Sequence, residues 1–330
     1  MRQHYRVAVV GATGMVGETF IRVLQERHFP ISDISFFASQ RSVGKTIEFQ
    51  GKTYPVEALN EQSFDRGFDI ALFSAGGETS LKFAEIAAAK GAVVIDNSSA
   101  WRMKPNIPLI VPECNGHILK KSDMIIANPN CSTIQSVVPL KVIDDLFKLK
   151  RVIYSSYQAV SGSGYKGVFD LERGKRGEAP AFYPKVIHEN CFPHIDDFLD
   201  SGYTKEEKKM IEETRKILGK PKLPVTATCV RIPVVVGHSV SINVECEKAI
   251  DMNALKQAFK DHSGIIFYEG KTYPTPQDAA GNDLVHVGRL RLDDSRDHAL
   301  NLWVVADNVR KGAATNAIQI AEYMIKEELI

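Results

Sequence analysis

Cys131 lies in a segment whose residue types suit nucleophilic chemistry, Ala-Asn-Pro-Asn-Cys-Ser-Thr-Ile-Gln at 127–135. An apolar run at 124–127 predicts a buried strand, and the polar residues 128–130 then end it. The apolar repeat over 137–146 predicts a helix, so Cys131 is expected at or near its first turn. Unpaired amides at that position favour a thiolate over a thiol. The alternative is a small buried residue that fills a strand-to-helix corner.

His238 is the second candidate, because it lies beside a glycine in an otherwise uninterrupted β-rich stretch. As an isolated residue it fits a structural histidine. Paired with Cys131 across a domain cleft, it is a candidate general base that also activates the thiol. Arg231 lies on the opposite face of a regular strand from position 238. Pro233 and Gly237 predict a bend, so strand alternation alone does not decide whether the two side chains meet.

A glycine-rich turn follows the first predicted strand. The nearly continuous apolar run from Arg6 to Val10 is typical of strands buried in parallel sheets, and Gly-Ala-Thr-Gly-Met-Val-Gly at 11–17 precedes a helical pattern. Gly11 permits the tight turn, Gly14 permits close approach of a pyrophosphate, and Gly17 permits close packing of the helix on the strand. The first gap is one residue longer than in Gly-x-Gly-x-x-Gly. A tight turn without a ligand is the alternative.

The end of the second predicted strand indicates which nucleotide binds. The strand over 34–38 is followed by Ser39, Gln40, Arg41 and Ser42. NAD-binding folds usually place an acidic residue there for the ribose hydroxyl, whereas a guanidinium suits a 2′-phosphate. We therefore predict NADP rather than NAD. The alternative for Arg41 is a solvated loop residue.

A second cationic residue follows the end of another predicted strand. Strands are predicted over 68–73 and 92–96, with a helix over 80–90 between them. Ligands bind at the carboxyl ends of strands in an open α/β sheet, so Arg102 is placed to meet an anion. The alternative is a surface arginine stacked on Trp101.

Beyond the Cys131 helix the pattern changes from α/β to α+β. A strand begins over 151–156, and strands are predicted over 225–246 and 298–306. Residues 168–204 lack clean periodicity and are predicted to be ordered but irregular, with a linker as the alternative. A charged amphipathic helix is predicted over 203–218, with its charged run interpreted as a solvated face.

The predicted fold is α/β, with a Rossmann-type parallel sheet domain and an α+β catalytic and dimerisation domain whose sheet is mostly antiparallel. The predicted NADP-binding domain comprises 1–130 and 311–330, and the catalytic domain comprises 131–310. A final amphipathic helix over 313–327 is expected to return to the first domain.

Composition excludes several classes of protein. The chain has 330 residues, 44% of them apolar and 25% charged, with a net charge of +1, so nucleic acid and membrane are poor partners. No apolar signal segment or membrane-spanning run is present. Five cysteines without a Cys-x-x-Cys pair indicate reduced thiols in the cytoplasm, and argue against disulfides or a zinc cluster. No metal is predicted.

Several motifs together resemble the aspartate-β-semialdehyde dehydrogenase family. They are the glycine turn at 11–17, Ser-Ser-Ala-Trp-Arg at 98–102, Asn-Pro-Asn-Cys-Ser-Thr at 128–133, Gln-Ala-Val-Ser-Gly at 158–162, Thr-Lys-Glu-Glu-Lys-Lys at 204–209, Arg-Ile-Pro-Val-Val-Val-Gly-His-Ser at 231–239 and Ala-Asp-Asn-Val-Arg-Lys-Gly-Ala-Ala at 306–314. The resemblance runs essentially end to end. The nearest alternative is N-acetyl-glutamyl-phosphate reductase, whose motif typically reads Asn-Pro-Gly-Cys-Tyr where this chain has Asn130 and Ser132 around Cys131.

The resemblance implies NADPH-dependent, reversible reduction of L-aspartyl-4-phosphate to L-aspartate-4-semialdehyde through a cysteine thioester. It also implies a homodimer paired through the second domain, and a place in lysine and diaminopimelate, threonine, methionine and isoleucine biosynthesis. The implied catalytic residues are the nucleophile Cys131, the general acid/base His238, and Gln158, which orients the acyl group.

The resemblance further assigns residues to substrate and cofactor. Arg231 would hold the α-carboxylate, Arg102 and Lys209 the phosphate, and Glu206 would lie near the amine or support that cluster, with Asn130 helping to position substrate or phosphate. This replaces the solvated-face interpretation of 204–209. The implied NADP-binding residues are Gly11, Ala12, Thr13, Gly14, Met15, Val16, Gly17, Ser39, Arg41, Ser42, Ser161, Gly162 and Asn308. The Gly-Ser-Gly at 162–164 departs from the family pattern, which leaves its nicotinamide contacts open.

Overall fold

The structure is a computed structural model that describes residues 4–330, and the chain forms two compact units. The first unit comprises the described residues up to Pro129 together with Ala313–Ile330, and the second comprises Asn130–Gly312. The predicted assignment of cofactor binding to 1–130 and 311–330, and of catalysis to 131–310, stays a prediction.

The elements are numbered in chain order. The strands are β1 (Tyr5–Val10), β2 (Ile31–Ala38), β3 (Thr46–Phe49), β4 (Lys52–Ala58), β5 (Ile70–Phe73), β6 (Val93–Asp96), β7 (Ile125–Ala127), β8 (Leu149–Gln158), β9 (Val225–Arg231), β10 (His238–Cys246), β11 (Ile265–Phe267), β12 (Val285–Leu292) and β13 (Ala299–Ala306). The helices are α1 (Met15–Glu26), α2 (Gly77–Ala89), α3 (Pro112–Asn115), α4 (Cys131–Phe147), α5 (Tyr165–Lys175), α6 (Lys205–Ile217), α7 (Met252–Asp261), α8 (Pro276–Ala279) and α9 (Thr315–Lys326).

The first unit is built on a seven-stranded sheet with the order β3-β4-β2-β1-β5-β6-β7. Every pairing except the β3–β4 hairpin is parallel, which confirms the predicted Rossmann-type sheet. β5 and β6 are buried along their whole length, as apolar strands of parallel sheets are. The apolar sides of α1 and α9 pack into the same core, so the last helix does belong to the first unit.

The second unit is built on a six-stranded sheet with the order β11-β12-β13-β10-β8-β9. The three central pairings are antiparallel, and the pairings at the two edges are parallel, which confirms the predicted α+β unit. Along β10 the residues His238, Val240, Ile242 and Val244 are buried, while Ser241 and Asn243 on the opposite face are partly exposed. α4 packs on this sheet and is buried over most of its length.

Parts of the sequence-based prediction were incomplete or wrong. Residues 168–204 are not irregular throughout, because α5 extends from Tyr165 to Lys175. Its apolar repeat is interrupted by glycines, one of which serves close packing: a Cβ at Gly167 would lie 2.3 Å from the Val160 carbonyl oxygen. The β3–β4 hairpin and the elements α3, α7, β11, α8 and β12 were not predicted. Within residues 4–330, no helix combines the length and apolar character needed to cross a membrane.

The glycine turn gives a prediction about stability. A Cβ at Gly17 would lie 2.1 Å from the Gly11 carbonyl oxygen, whereas a Cβ at Gly14 would lie 3.4 Å from the same atom. Gly17→Ala is therefore expected to lower the free energy of unfolding by about 1–3 kcal/mol through overpacking. Gly14→Ala is the matched control and is expected to unfold at nearly the wild-type urea concentration. Equal destabilisation of the two variants would contradict this account of the turn.

Candidate active site

Cys131 is the first residue of α4, which confirms its predicted place at a helix start. The preceding residue, Asn130, caps the helix: its Oδ1 accepts hydrogen bonds from the backbone N–H groups of Ser132 at 3.0 Å and Thr133 at 3.2 Å. Cys131 is partly exposed rather than sealed in a corner. The helix terminus favours a thiolate at this position.

Gly312 packs directly against the cysteine. A Cβ at Gly312 would lie 2.9 Å from the Cβ of Cys131, so any larger residue at position 312 would clash with Cys131. This contact was not predicted. The only signal in the sequence was the presence of Gly312 within the motif at 306–314.

A buried polar cluster surrounds the cap of α4. Glu206, near the start of α6, accepts hydrogen bonds through Oε1 from Asn130 Nδ2 at 2.8 Å and from Gln158 Nε2 at 3.3 Å. Lys209 Nζ lies 3.3 Å from Glu206 Oε2. Four of the predicted site residues are therefore in one hydrogen-bonded group. Asn130 also donates its backbone N–H to Glu213, a buried residue that was not predicted.

The solvated-face interpretation of residues 204–209 is wrong, because Glu206 and Glu207 are buried. Glu207 stabilises the local backbone, since it accepts the N–H of Thr204 at 2.7 Å and that of Cys229 at 3.0 Å. Burial by itself raises the pKa of Glu206, but Lys209, the Asn130 hydrogen bond and Arg231 together bring that pKa below its ordinary value. Glu206 is therefore a carboxylate at neutral pH.

Lys209 lies between two carboxylates. Its Nζ is 2.7 Å from Asp196 Oδ2, in addition to its contact with Glu206. Burial raises the pKa of Asp196, but its ion pair with Lys209 outweighs that effect and the pKa is lowered. The ammonium of Lys209 is thereby held at the edge of the cluster.

Arg231 and His238 meet at the same residue, Ala159. The Ala159 backbone N–H donates to His238 Nδ1 at 3.0 Å, and Arg231 Nη1 donates to the Ala159 carbonyl oxygen at 2.6 Å. Arg231 ends β9 and His238 begins β10, so the bend at residues 232–237 brings together side chains that strand alternation would separate. Both residues are buried.

Each of these two residues has a buried nitrogen without a partner. Arg231 Nε and His238 Nε2 form no hydrogen bond with any residue in the described part of the chain. A Cβ at Gly162 would lie 3.0 Å from Arg231 Nη1 and 3.1 Å from His238 Nε2, so this glycine packs closely against both side chains and a larger residue would press on them. Buried donors without partners in a native fold need an explanation, and a ligand is one.

His238 is neutral in this environment. Burial, followed by the positive charge of Arg231, lowers the pKa of His238 well below 6.5. Because Nδ1 accepts a hydrogen bond from a backbone N–H, the single proton of the neutral ring lies on Nε2. His238 Nε2 is therefore a hydrogen-bond donor that lies beside Gly162.

The start of α4 adjoins the start of β10. Gln135, one turn after Cys131, donates through Nε2 to the His238 carbonyl oxygen at 3.0 Å. Cys131 also adjoins the Glu206 cluster, because the preceding residue, Asn130, donates to Glu206. Cys131, His238 and the polar cluster therefore lie on adjoining elements of the second unit.

Asn308 connects the loops on either side of His238. Its Nδ2 donates to Ser161 Oγ at 2.9 Å, and its Oδ1 accepts the Gly237 backbone N–H at 2.9 Å. Asn308 and Ser161 were predicted to bind NADP. The structure shows them holding the 161–162 loop, and a cofactor contact stays a prediction.

The glycine turn of the first unit has the predicted geometry. Gly11 has φ +84°, and a Cβ there would lie 2.2 Å from the Ser74 carbonyl oxygen. Thr13 Oγ1 lies 3.1 Å from Ser42 Oγ, which joins this turn to the segment after β2. Ser39 and Arg41 in that segment are exposed, and the Arg41 guanidinium makes no hydrogen bond or ion pair within residues 4–330.

Arg102 is buried at 7% exposure, so the alternative of a surface arginine is wrong. Its Nε donates to the Asn128 carbonyl oxygen and its Nη2 to the Asn97 carbonyl oxygen, both at 2.9 Å. Across the described ranges, no group of three or more His, Cys, Asp or Glu residues is arranged to hold a metal ion.

Comparisons with known proteins agree with this architecture. Residues 6–122 match the family model "Semialdehyde dehydrogenase, NAD binding domain", and residues 140–311 match "Semialdehyde dehydrogenase, dimerisation domain". The fold and the cysteine site therefore define a semialdehyde dehydrogenase, an oxidoreductase that acts on an aldehyde.

Individual relatives identify the family more narrowly. The chain is 53% identical to aspartate-semialdehyde dehydrogenase of Aquifex aeolicus and 48% identical to aspartate-semialdehyde dehydrogenase 2 of Vibrio cholerae, each over 99% of both chains. The crystal structure of the Vibrio cholerae aspartate semialdehyde dehydrogenase II, complexed with ASA, superposes with a TM-score of 0.93 at 46% identity and covers 99% of both chains. The chain belongs to the aspartate-semialdehyde dehydrogenase family.

The electrostatics of the site give a prediction about His238. Because Arg231 contributes to the low pKa of His238, Arg231→Met is expected to raise that pKa toward 6.5. The measurement is a ¹⁵N NMR titration of the imidazole in the free protein, which also reports the protonated nitrogen. Arg296→Met is the control, because Arg296 pairs with Glu245 near the far end of β10. An unchanged His238 titration in Arg231→Met would contradict the assigned charge coupling.

Proposed function

We propose that the protein catalyses the NADPH-dependent reduction of L-aspartyl-4-phosphate to L-aspartate-4-semialdehyde and inorganic phosphate, and the reverse reaction. The observation that carries the proposal is the pair of buried, unpartnered nitrogens, Arg231 Nε and His238 Nε2, on two side chains that both lie beside Gly162. Membership of the family supports the substrate.

Cys131 is the nucleophile of this proposal. Its thiolate attacks the acyl carbon, the C–S bond forms, and the C–O bond to phosphate breaks with the electron pair leaving on phosphate. Arg102 and Lys209 would each bind phosphate, as the family resemblance implies, because guanidinium and ammonium groups are common partners of phosphate oxygens. Asn130 positions the substrate and, as the helix cap, holds the cysteine at the first turn.

His238 acts on the oxygen of the reacting carbonyl. Bound NADPH supplies the hydride that reduces the thioester. As negative charge develops on the oxygen, the Nε2–H of neutral His238 donates a hydrogen bond to it, and the C–S bond then breaks to release aldehyde and thiolate. In this proposal, the general acid/base role predicted from the sequence starts with His238 in the neutral tautomer that carries its proton on Nε2.

Charge complementarity favours an amino-acid substrate with a free amine. Arg231 offers its guanidinium fork to the α-carboxylate, which an ammonium group matches less well. Glu206 is a buried carboxylate and suits a free ammonium rather than an acetylated amine. Gln158, whose amide is fixed by Glu206 and Ser156, orients the acyl group. These contacts favour the aspartyl substrate over that of N-acetyl-glutamyl-phosphate reductase.

The glycine turn and the segment after β2 in the first unit suit a dinucleotide that carries a 2′-phosphate. At Gly14 the nearest atom to an added Cβ is 3.4 Å away, so a pyrophosphate has room at the N-terminus of α1. Exposed Arg41, with Ser39 beside it, suits the 2′-phosphate, which supports NADP over NAD. The remaining residues expected to contact NADP are Gly11, Ala12, Thr13, Met15, Val16, Gly17, Ser42, Ser161, Gly162 and Asn308.

The match to a dimerisation domain supports a homodimer. Within that domain the side chains of Tyr165, Phe169, Phe182 and Val186 are all exposed on α5 and the loop that follows it. Large apolar side chains grouped on a surface are typical of interfaces, so we propose that a second copy of the chain covers them. Five cysteines without a Cys-x-x-Cys pair fit the predicted cytoplasmic location, and the reaction would serve lysine, diaminopimelate, threonine, methionine and isoleucine biosynthesis.

Steady-state kinetics test the proposed reaction. The wild-type protein is expected to reduce NADP with L-aspartate-4-semialdehyde only when phosphate is present, and not with N-acetylglutamate semialdehyde. Cys131→Ala is expected to lose turnover by at least about 10⁴-fold, because the nucleophile is absent, while NADP binding by calorimetry is retained. Phosphate-independent turnover, or activity in Cys131→Ala, would contradict the proposal.

The dimer proposal is tested by the mass of the particle in solution. Phe169 is 53% exposed, and Phe169→Glu is expected to weaken the dimer measured by light scattering, because it places a charge in an apolar interface. Leu81→Glu is the matched control, with a 47% exposed apolar residue on α2 of the first unit. If the dimer is equally stable in both variants, the interface does not include the exposed side chains of α5.

A further inference from the structure

The guanidinium of Arg102 is oriented by two backbone carbonyl groups. Nε donates to the Asn128 oxygen and Nη2 to the Asn97 oxygen. Carbonyl groups accept hydrogen bonds without carrying a formal negative charge, so these two contacts fix the direction of the guanidinium. The direction of the guanidinium then depends on how firmly residues 97 and 128 are held relative to each other.

The side chain of Asn128 ties these two residues together. Its Nδ2 donates to Asn97 Oδ1 at 2.7 Å and to the Ala313 carbonyl oxygen at 3.1 Å. Its Oδ1 accepts from Asn316 Nδ2 in α9 at 2.7 Å. Asn128 is fully buried, so its amide is committed to this network.

The carboxylate of Asp96 fixes the turn that leads to Arg102. It accepts the Ser98 backbone N–H at 2.9 Å and Ser98 Oγ at 2.5 Å, and it also accepts Ser80 Oγ. The Asp96 carbonyl oxygen accepts the Asn128 backbone N–H at 2.8 Å. Asn97 and Asn128, whose carbonyl groups accept from Arg102, are therefore both fixed to the end of β6.

We propose that Asn128 is a positioning residue for the phosphate site and acts through Arg102, whose two carbonyl acceptors it holds in register. This inference rests on the proposed phosphate-binding role of Arg102. A guanidinium that is oriented before phosphate arrives loses less conformational entropy on binding, so phosphate binds more tightly. The first asparagine of the segment 128–133 thereby acquires a role distinct from that of Asn130.

The test is the dependence of the rate on phosphate in the direction that consumes aldehyde. Asn128→Ala removes the amide but keeps the carbonyl group, and is expected to raise KM for phosphate roughly 5- to 10-fold. KM for NADP and for the aldehyde is expected to stay within about twofold of wild type. Asn97→Ala, at a half-buried position, removes the side-chain amide whose Oδ1 accepts from Asn128 but keeps the carbonyl group that accepts from Arg102, and should shift KM for phosphate in the same direction.

Asn115→Ala separates positioning from loss of structure. Asn115 is a buried asparagine of the same unit, with Oδ1 accepting the Val111 backbone N–H and Nδ2 donating to the Leu109 carbonyl oxygen. Asn115→Ala should lower stability without changing KM for phosphate. As a readout independent of turnover, the rise in Tm that phosphate gives the wild-type protein should shrink in Asn128→Ala and Asn97→Ala and persist in Asn115→Ala.

Arg102→Ala serves as the reference variant. If it raises KM for phosphate while Asn128→Ala and Asn97→Ala do not, the positioning role of Asn128 is overturned and the proposed function stands. If Arg102→Ala leaves KM for phosphate unchanged, the phosphate role of Arg102 fails, and the inference fails with it. An equal rise of KM for phosphate in Asn115→Ala would show that the effect is general loosening, which also overturns the proposal.

Discussion

The second unit depends on one capping interaction, the hydrogen bonds that Asn130 Oδ1 accepts at the start of α4. The same residue donates its side-chain amide to Glu206 and its backbone N–H to Glu213. One asparagine therefore ends the preceding segment, begins the helix that carries Cys131, and anchors the buried acid of the site. A cap of this kind typically stabilises a helix by about 1 kcal/mol, so its larger effect here is to fix the position of the thiol.

The charged groups of the site determine one another's protonation states. Glu206 is buried and remains ionised because Lys209, Asn130 and Arg231 compensate for its loss of water. His238 lies beside Arg231 and is kept neutral, which leaves Nε2 as a donor. Buried groups whose pKa values are moved by neighbours in this way are typical of active sites. The site therefore contains both an ionised carboxylate, Glu206, and a neutral hydrogen-bond donor, His238.

Local signals in the sequence predicted the parts of the fold that depend on nearby residues. The glycine turn at 11–17 and the helix start at Cys131 were recognised because spacing and residue type act within a few positions. α5 was missed because Gly167 and Gly174 interrupt its apolar repeat. The charge pattern alone predicted a solvated face for the run at 204–209, because the burial of Glu206 and Glu207 arises from packing against distant strands, and only the family resemblance assigned this run to the site.

The contacts that orient the site join residues far apart in the chain. Ala159 links Arg231 to His238, and Asn316 reaches Asn128 from the last helix. Resemblance to a family supplied the predicted roles of Arg231, Lys209 and Gln158, and those roles stay predictions. Asn128 and Gly312 lie within the family motifs at 128–133 and 306–314, but their contacts were not predicted, and Glu213 lies in no motif.

The measurement that tests the central claim most directly is intact-protein and peptide mass spectrometry after rapid mixing of the enzyme with NADP and L-aspartate-4-semialdehyde in the absence of phosphate. The account predicts an aspartyl thioester on the peptide that contains Cys131, and its rapid disappearance when phosphate is added. NADPH formation without an acyl adduct, or an adduct on a cysteine other than Cys131, would contradict it.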